Sequence, residues 1–165
     1  MRLDLHQIIN IPNGYVPFDY SPDLTDLAYG SVIEVKPNAS CAGGVRNIAG
    51  VLTFKAVLEA DMVCACARCL KEFQQHVHLD IEAVITEEAD AQEDTDAYFL
   101  DGDYADADEI VNTAFMLNME QRFLCKEDCK GLCDKCGANL NDGPCSCKAE
   151  IDPRLAVLGQ LLEND

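Results

Sequence analysis

Cysteine is the residue type in this chain that can do chemistry. Eight of the ten cysteines fall in four close pairs: Cys66-x2-Cys69, Cys125-x3-Cys129, Cys133-x2-Cys136 and Cys145-x-Cys147. Thiolates in such pairs are the ligands that structural zinc prefers, because two pairs together surround one ion tetrahedrally. The spacing therefore predicts eight metal ligands and two zinc ions per chain.

The four pairs can be divided between two sites in more than one way. Cys133, Cys136, Cys145 and Cys147 form a complete short-range set, with Gly137 able to take a positive φ just after the second ligand. The other set then consists of Cys66, Cys69, Cys125 and Cys129, which would join two distant parts of the chain. In the alternative division, the pair at 145 and 147 joins the pair at 66 and 69. We prefer the first division.

Other uses of these thiols fit less well. Disulfides are rare in cytosolic proteins, and redox-active C-x-x-C pairs sit beside βαβ units, whereas the region around Cys66 reads as antiparallel. An iron–sulfur cluster is a competitor, since Cys129-x3-Cys133-x2-Cys136 has the spacing that radical S-adenosylmethionine enzymes use. Those enzymes need a larger barrel than this chain can form. Cys64 is at most a spare ligand, and Cys41 is expected to be an ordinary thiol.

Composition and charge narrow the class of protein. The 165 residues carry a formal net charge of −18, and 48% of them are hydrophobic. That charge disfavours a simple nucleic-acid binder and favours a basic partner. No apolar run approaches the length of a membrane span, and the opening residues lack a signal-peptide core. We expect a cytoplasmic protein.

An acidic block covers residues 80–109. It holds thirteen Asp and Glu residues and no Lys or Arg. A solvated loop is the plainer interpretation, because like charges repel and stay extended. The alternative is a docking surface for a basic protein.

The sequence also predicts the strands and helices that must position the cysteines. Alternation of apolar residues predicts a half-buried strand over 73–85, preceded by β-rich sequence over 45–62. Residues 38–44 read as a connection, 11–27 as loop-rich, and 97–100 as a short strand. A helix is expected from about Asp108, capped by Asp106 or Asp108, with Ile110, Ala114 and Leu117 on its apolar stripe and Phe115 and Met119 widening it. Asp152-Pro153 followed by leucines predicts a second helix.

These elements predict an α+β fold. We expect a mainly antiparallel sheet, with partial closure left as an option, two helices, and a zinc-organised C-terminal region. The chain is expected to form a single domain over 1–165. Residues 1–120 would be mainly β with one helix, and residues 121–165 would hold the cysteine-rich zinc region and the terminal helix.

The cysteine segments also resemble a known family. Cys66-Ala-Arg-Cys69-Leu70, then the run from Cys125 to Cys147 containing Gly131-Leu132-Cys133 and Asn139-Leu140-Asn141, and then Asp152-Pro153-Arg154-Leu155 are similar to the YceD family of large ribosomal RNA subunit accumulation proteins. The resemblance implies a role in the accumulation of 23S ribosomal RNA, without an established enzymatic activity. Some members lack the full cysteine set, so zinc is not essential to every member.

The resemblance implies a factor in large ribosomal subunit biogenesis, and the residues themselves indicate a binding factor and not a catalyst. We find no Ser/His/Asp set, no glycine-rich phosphate loop and no three-ligand open metal site. The expected partner is a basic large-subunit ribosomal protein or a pre-ribosomal particle, and direct RNA contact is not indicated by charge. The alternative from another class is a redox-regulated zinc chaperone, while a nuclease is the weakest option.

Overall fold

A long antiparallel hairpin dominates the fold. The computed structural model describes residues 1–86, 97–120 and 122–147. Strands β5 (Val51–Ala65) and β6 (Glu72–Thr86) pair in one unbroken register from Leu52↔Ile85 to Ala65↔Glu72. The predicted strand over 73–85 is therefore confirmed.

Shorter strands extend this hairpin into a six-stranded sheet of order β2-β4-β5-β6-β7, with β3 also beside β5. They are β2 (Tyr15–Tyr20), β3 (Val32–Val35), β4 (Ser40–Ile48) and β7 (Ala97–Phe99). All neighbours are antiparallel except β6 and β7. A separate pair joins β1 (Arg2–Asp4) to β8 (Tyr104–Asp106), and a 3-10 turn covers Thr25–Leu27.

The predicted α+β class is wrong, because the described residues are mostly β. They contain eight strands and one α-helix, α1 (Ala107–Asn118), and the sheet does not close on itself, since it ends at β2 and β7. The second predicted helix, after Asp152, lies outside the described residues. None of the described helical segments is both long and apolar enough to cross a bilayer.

Two loop predictions fail because glycine and proline occur inside strands. Residues 38–44 were expected to connect, but β4 begins at Ser40 and contains Gly43 and Gly44. The Tyr15 ring occupies the space that a side chain on Gly44 would need, since a Cβ added to Gly44 would lie only 2.3 Å from that ring. Aromatic packing therefore replaces the missing side chain. Pro17 likewise lies in β2, on an edge where its missing N–H costs no ladder bond.

Helix α1 begins as expected and buries Ile110 and Phe115 of its predicted stripe but not Leu117. The Asp106 carboxylate accepts a hydrogen bond from the Asp108 amide at 2.9 Å, which confirms the cap. Ile110, Val111 and Phe115 are buried, whereas Leu117 is 79% exposed. The helix lies against β6 and β1, and its buried side chains join Phe54, Leu58 and Met62 of β5 in one core.

Asn47 provides the main polar anchor of this core. It is 2% exposed; its Nδ2 donates to the Ile8 and Ile9 carbonyls at 2.8 and 2.7 Å, and its Oδ1 accepts from the Gly50 amide at 2.9 Å. We expect Asn47→Ala to lower the free energy of unfolding by about 2–4 kcal/mol, because buried backbone groups lose their partners. Denaturant unfolding of zinc-supplied protein measures this. The exposed Asn38→Ala is the matched control, with an expected loss below about 1 kcal/mol; equal losses would contradict the role of burial.

Candidate metal centres

The first group of cysteines is built on the tip of the β5–β6 hairpin. Cys66 follows the last residue of β5, and Cys69 lies three residues before β6. The turn is closed by the Cys66 amide, which donates to the Lys71 carbonyl at 2.9 Å, and by the Leu70 amide, which donates to the Cys66 carbonyl at 2.9 Å. The C-x-x-C turn is thus the loop of the longest hairpin in the fold.

The segment after α1 closes this first group. The Phe123 carbonyl accepts from the Ala67 amide at 2.8 Å, and the Leu132 amide donates to the Arg68 carbonyl at 3.1 Å. Between these two clamps lie Cys125 and Cys129. Their sulfur atoms stand 3.6 Å from Cys69 Sγ and 3.7 Å from Cys66 Sγ, respectively.

The second group comes from one continuous segment. Cys133, Cys136, Cys145 and Cys147 bring their sulfur atoms within 4.8 Å of one another, as do the four of the first group. The Gly137 amide donates to the Cys133 carbonyl at 2.9 Å, the same bond that Leu70 makes in the first group. Gly137 has φ +71°, which confirms the expected positive value, and Leu70 takes φ +59° at the equivalent place.

The donor geometry fits one metal ion per group. A tetrahedral ion with Zn–S bonds of about 2.3 Å separates its sulfur atoms by about 3.8 Å, close to the distances observed in the first group. All ten cysteines are free thiols. The grouping matches the first of the two divisions drawn from the spacing, and Cys64, although buried on β5, belongs to neither group.

Within each group the pKa values of neighbouring thiols are shifted in opposite directions, so the four thiols do not ionise together unless a cation is present. Burial opposes ionisation of Cys66, but the Cys125 and Cys69 amides donate to its sulfur and lower its pKa to about 6. In the same group, burial and hydrogen bonds with Cys69 and Cys66 raise the pKa of Cys125 to about 12. The second group repeats this pattern: the Cys136 and Lys135 amides lower the pKa of Cys133 to about 7, and hydrogen bonding with Cys136 together with burial raises that of Cys147 to about 12. A bound divalent ion stabilises all four thiolates together.

Residues outside the cysteine pattern hold the ligands in place, and the spacing did not single them out. Asn141, from the second group's segment, donates its Nδ2 to Cys129 Sγ at 3.4 Å and accepts from the Lys130 amide at 3.0 Å. Arg68 donates to the Cys129 carbonyl at 2.8 Å. Gly131 has φ +76°, and a Cβ there would stand 3.1 Å from the Arg68 carbonyl oxygen. These contacts orient the ligands, as outer residues commonly do around metals.

Comparison with known proteins shows which family shares this part of the chain. A family model described as large ribosomal RNA subunit accumulation protein YceD matches residues 54–162, which include all eight cysteines of the two groups. The chain belongs to the YceD family. No solved structure matches it.

Relatives of this YceD-family chain carry no functional description. It is 28% identical over 148 residues to an uncharacterized protein of Mycobacterium leprae, which covers 87% of this chain and 65% of the relative. It is 27% identical over 124 residues to an uncharacterized protein of Mycobacterium tuberculosis, covering 72% of this chain and 59% of the relative. The uncharacterized protein YlbN of Bacillus subtilis is 24% identical over 170 residues, covering 100% and 98%. The chain thus spans less than two thirds of the length of the two mycobacterial relatives.

The described part of the acidic block makes contacts within the chain. Asp101 accepts from Arg2 Nη2 at 2.7 Å, and Asp103 bonds His6 Nδ1 at 2.7 Å. Residues 87–96, where the charge is densest, lie outside the described residues. His76 and His78 lie on the exposed face of β6, where their Nδ1 atoms contact Asp61 and Glu59 at 2.8 and 3.3 Å.

Proposed function

We propose that this chain is a non-enzymatic factor that supports large ribosomal subunit biogenesis and the accumulation of 23S ribosomal RNA. The observation that carries the proposal is the match to the YceD family over residues 54–162. The two tetra-cysteine groups within that match favour a structural role for metal, because each supplies four ligands to one ion and leaves no open position for a substrate. The factor acts in the cytoplasm, where ribosomes assemble.

The metal we propose is zinc, with Cys66, Cys69, Cys125 and Cys129 at one centre and Cys133, Cys136, Cys145 and Cys147 at the other. Four thiolates at tetrahedral separation suit a single Zn²⁺ ion. The ligand sulfur atoms of each group lie within 4.8 Å of one another, which is too close for the cysteine ligands of a four-iron cluster. The geometry therefore disfavours the iron–sulfur alternative. At both centres the ion would cross-link chain segments that have little apolar mass of their own.

The partner we propose is a basic large-subunit ribosomal protein, free or within a pre-ribosomal particle. The net charge of −18 attracts cationic surfaces and repels phosphate. Both effects weaken as salt rises. Association at low salt is therefore expected to select basic proteins before naked RNA.

Deleting the gene in its host tests this function. We expect the ratio of 23S to 16S ribosomal RNA to fall, wild-type protein to restore it, and tagged protein to copurify with large-subunit proteins at low salt. Cys66→Ser is expected not to restore the ratio, whereas Cys64→Ser, a buried cysteine outside both centres, is expected to do so. An unchanged ratio after deletion would contradict the proposal.

A redox-regulated zinc chaperone is the second candidate, and the exposure of Cys136 favours it. Peroxide would take two electrons from a pair of thiolates at that centre, forming one disulfide and two hydroxide ions and releasing zinc. Peroxide treatment followed by an aggregation-suppression assay separates the two functions. Zinc release without any gain of holdase activity leaves the biogenesis factor as the better description.

A further inference from the structure

The second edge of β6 is unusually open. On one edge β6 pairs with β5 along its whole length, from Glu72 to Ile85. On the other edge β7 pairs with Val84, Ile85 and Thr86 alone. Within the described ranges, no strand pairs with residues 72–83 on this second edge.

The register identifies which backbone groups this edge presents. The Lys71 carbonyl accepts from Cys66 on the β5 side, whereas the Thr86 carbonyl accepts from the Leu100 amide on the opposite side. Directions alternate along a strand, and the β5–β6 register has no bulge. The even-numbered residues of β6 therefore point their N–H and C=O groups away from β5: Gln74, His76, His78, Asp80 and Glu82.

Natural proteins usually protect an edge of this length with charged side chains, proline, a bulge or a covering helix or loop, because unpaired strand edges recruit other chains. The opposite edge of the sheet, β2, carries Pro17 in its centre. The stretch 72–83 has neither proline nor bulge. Its openness resembles that of strands that accept a partner peptide.

The two faces beside this edge differ in chemistry. On the exposed face, Asp61 and Glu59 of β5 lie opposite His76 and His78, whereas Asp80 and Glu82 lie opposite Val57 and Lys55. Five carboxylates on this face of the hairpin, counting Glu72, stand against one lysine, Lys55, which pairs with Glu82 at 2.9 Å.

On the other face, Val77 and Leu79 point toward the end of α1. Together with Phe115, Met119 and Phe123 they form the apolar part of the lining of a cavity of about 200 Å³ beside the edge; its polar lining includes Gln75, Asn118 and Glu120. A strand laid along β6 would therefore place alternate side chains beside the acids of β6 and against the apolar part of this cavity, which forms a groove along the edge.

We propose that the edge of β6 over residues 72–83 receives an extended segment of a basic partner protein, in which lysine or arginine alternates with apolar residues. The segment pairs its backbone with the even-numbered residues of β6. Its basic side chains lie beside Asp80 and Glu82 of β6, and its apolar side chains enter the groove. This surface rests on the basic partner of the proposed function and specifies how that partner binds.

A synthetic probe tests the surface. We expect a peptide of about ten residues that alternates Lys and Val to bind the zinc-supplied full chain about tenfold more tightly than a peptide with the same residues in two blocks. Fluorescence anisotropy measures the affinity. Equal binding of the two peptides would show that charge alone acts, and would overturn the proposal.

Amide hydrogen exchange tests whether the peptide pairs its backbone with β6. Amide exchange resolved by residue is expected to be fast at His76, His78 and Asp80 in the free chain and slow with the alternating peptide bound. The amides of Val77 and Leu79 point toward β5 and are expected to exchange slowly with or without peptide. If the even-numbered amides are already slow without peptide, other residues of the chain or a second copy cover the edge, and the proposal is wrong; sedimentation distinguishes these two cases.

Matched variants complete the test. His78→Pro removes an N–H at the free edge and no bond to β5, whereas His78→Ala removes the same side chain and keeps the N–H. We expect the proline variant to weaken peptide binding about tenfold and the alanine variant to change it about twofold or less. Because proline can disturb the strand, peptides N-methylated at every Lys or at every Val give a second measurement. One of these two should lose binding and the other keep it, and any other result contradicts strand addition.

The inference and the proposed function can fail separately. If large-subunit proteins copurify equally with wild type and with a folded His78→Pro variant, the function stands and this edge is not the docking surface. If the peptide binds as described while deletion of the gene leaves 23S ribosomal RNA unchanged, the surface stands and the ribosomal role fails.

Discussion

Cys66→Ser is expected to reduce the zinc content from two ions per chain to one, and to detach residues 122–132 from the β5–β6 hairpin. The reason is that Cys66 is buried at the hairpin tip, and its centre is what joins that tip to Cys125 and Cys129. Structural zinc contributes on the order of 10 kcal/mol to a small folding unit, which two clamping hydrogen bonds do not replace. Elemental analysis reads the metal content.

Amide exchange gives the structural half of this result. Protection at Ala67 and Leu132, whose amides make the two clamps, is expected to disappear, while Phe54 and Leu58 in the core stay protected. Cys64→Ser is the matched control, since Cys64 is equally buried two residues earlier and outside both groups. It is expected to retain two zinc ions and to cost about 1–3 kcal/mol of unfolding free energy for the buried hydroxyl. Two ions retained in Cys66→Ser would refute the first centre.

Zinc is expected to leave the chain in two phases when a competing chelator is added, with the second centre emptying at least about tenfold faster. Cys136 is exposed and Cys145 and Cys147 are half-buried, whereas three of the four ligands of the first centre are buried. Chelator reaches exposed thiolates directly, but it reaches the first centre only after the clamps at Ala67 and Leu132 open. A colorimetric zinc indicator follows the release.

Single variants assign each phase to its centre. Cys136→Ser should abolish the fast phase and leave the slow one, and Cys66→Ser should do the reverse. After the fast phase, the β5–β6 amides should remain protected. A single phase in the wild type, or a fast phase that survives Cys136→Ser, would show that the two centres do not differ in this way.

Asn141 couples the two centres despite their different exposure. It lies in the loop between Cys136 and Cys145, and its side chain donates to Cys129 of the first centre. Emptying the second centre would therefore loosen one support of the first without removing a ligand. The Asn141 contact also helps to hold the short segment from Cys133 to Cys147 against a sheet that contributes only one C-x-x-C turn to the two groups.

The sequence by itself was sufficient for the local features. The spacing of Cys133, Cys136, Cys145 and Cys147 predicts one ligand group because ligands close in the chain need no long-range folding to meet. The alternation over 73–85 predicts β6 because period-2 burial is a property of one strand. Likewise, Asp106 predicts the start of α1 because a cap acts on neighbouring amides.

Only the tertiary structure decided features that depend on which segments become neighbours. The spacing left two divisions of the cysteine pairs open, and Cys66 and Cys69 meet Cys125 and Cys129 because the long hairpin carries its tip to the segment after α1. Gly43 and Gly44 belong to a strand because a tyrosine from β2 and the backbone of β5 fill the space beside them, although the same residues alone favour a loop. Leu117 is exposed and Val111 buried because β6 and β1 select the face of α1. The open edge of β6 likewise follows from how far β7 extends, and strand pairing is a property of the assembled sheet.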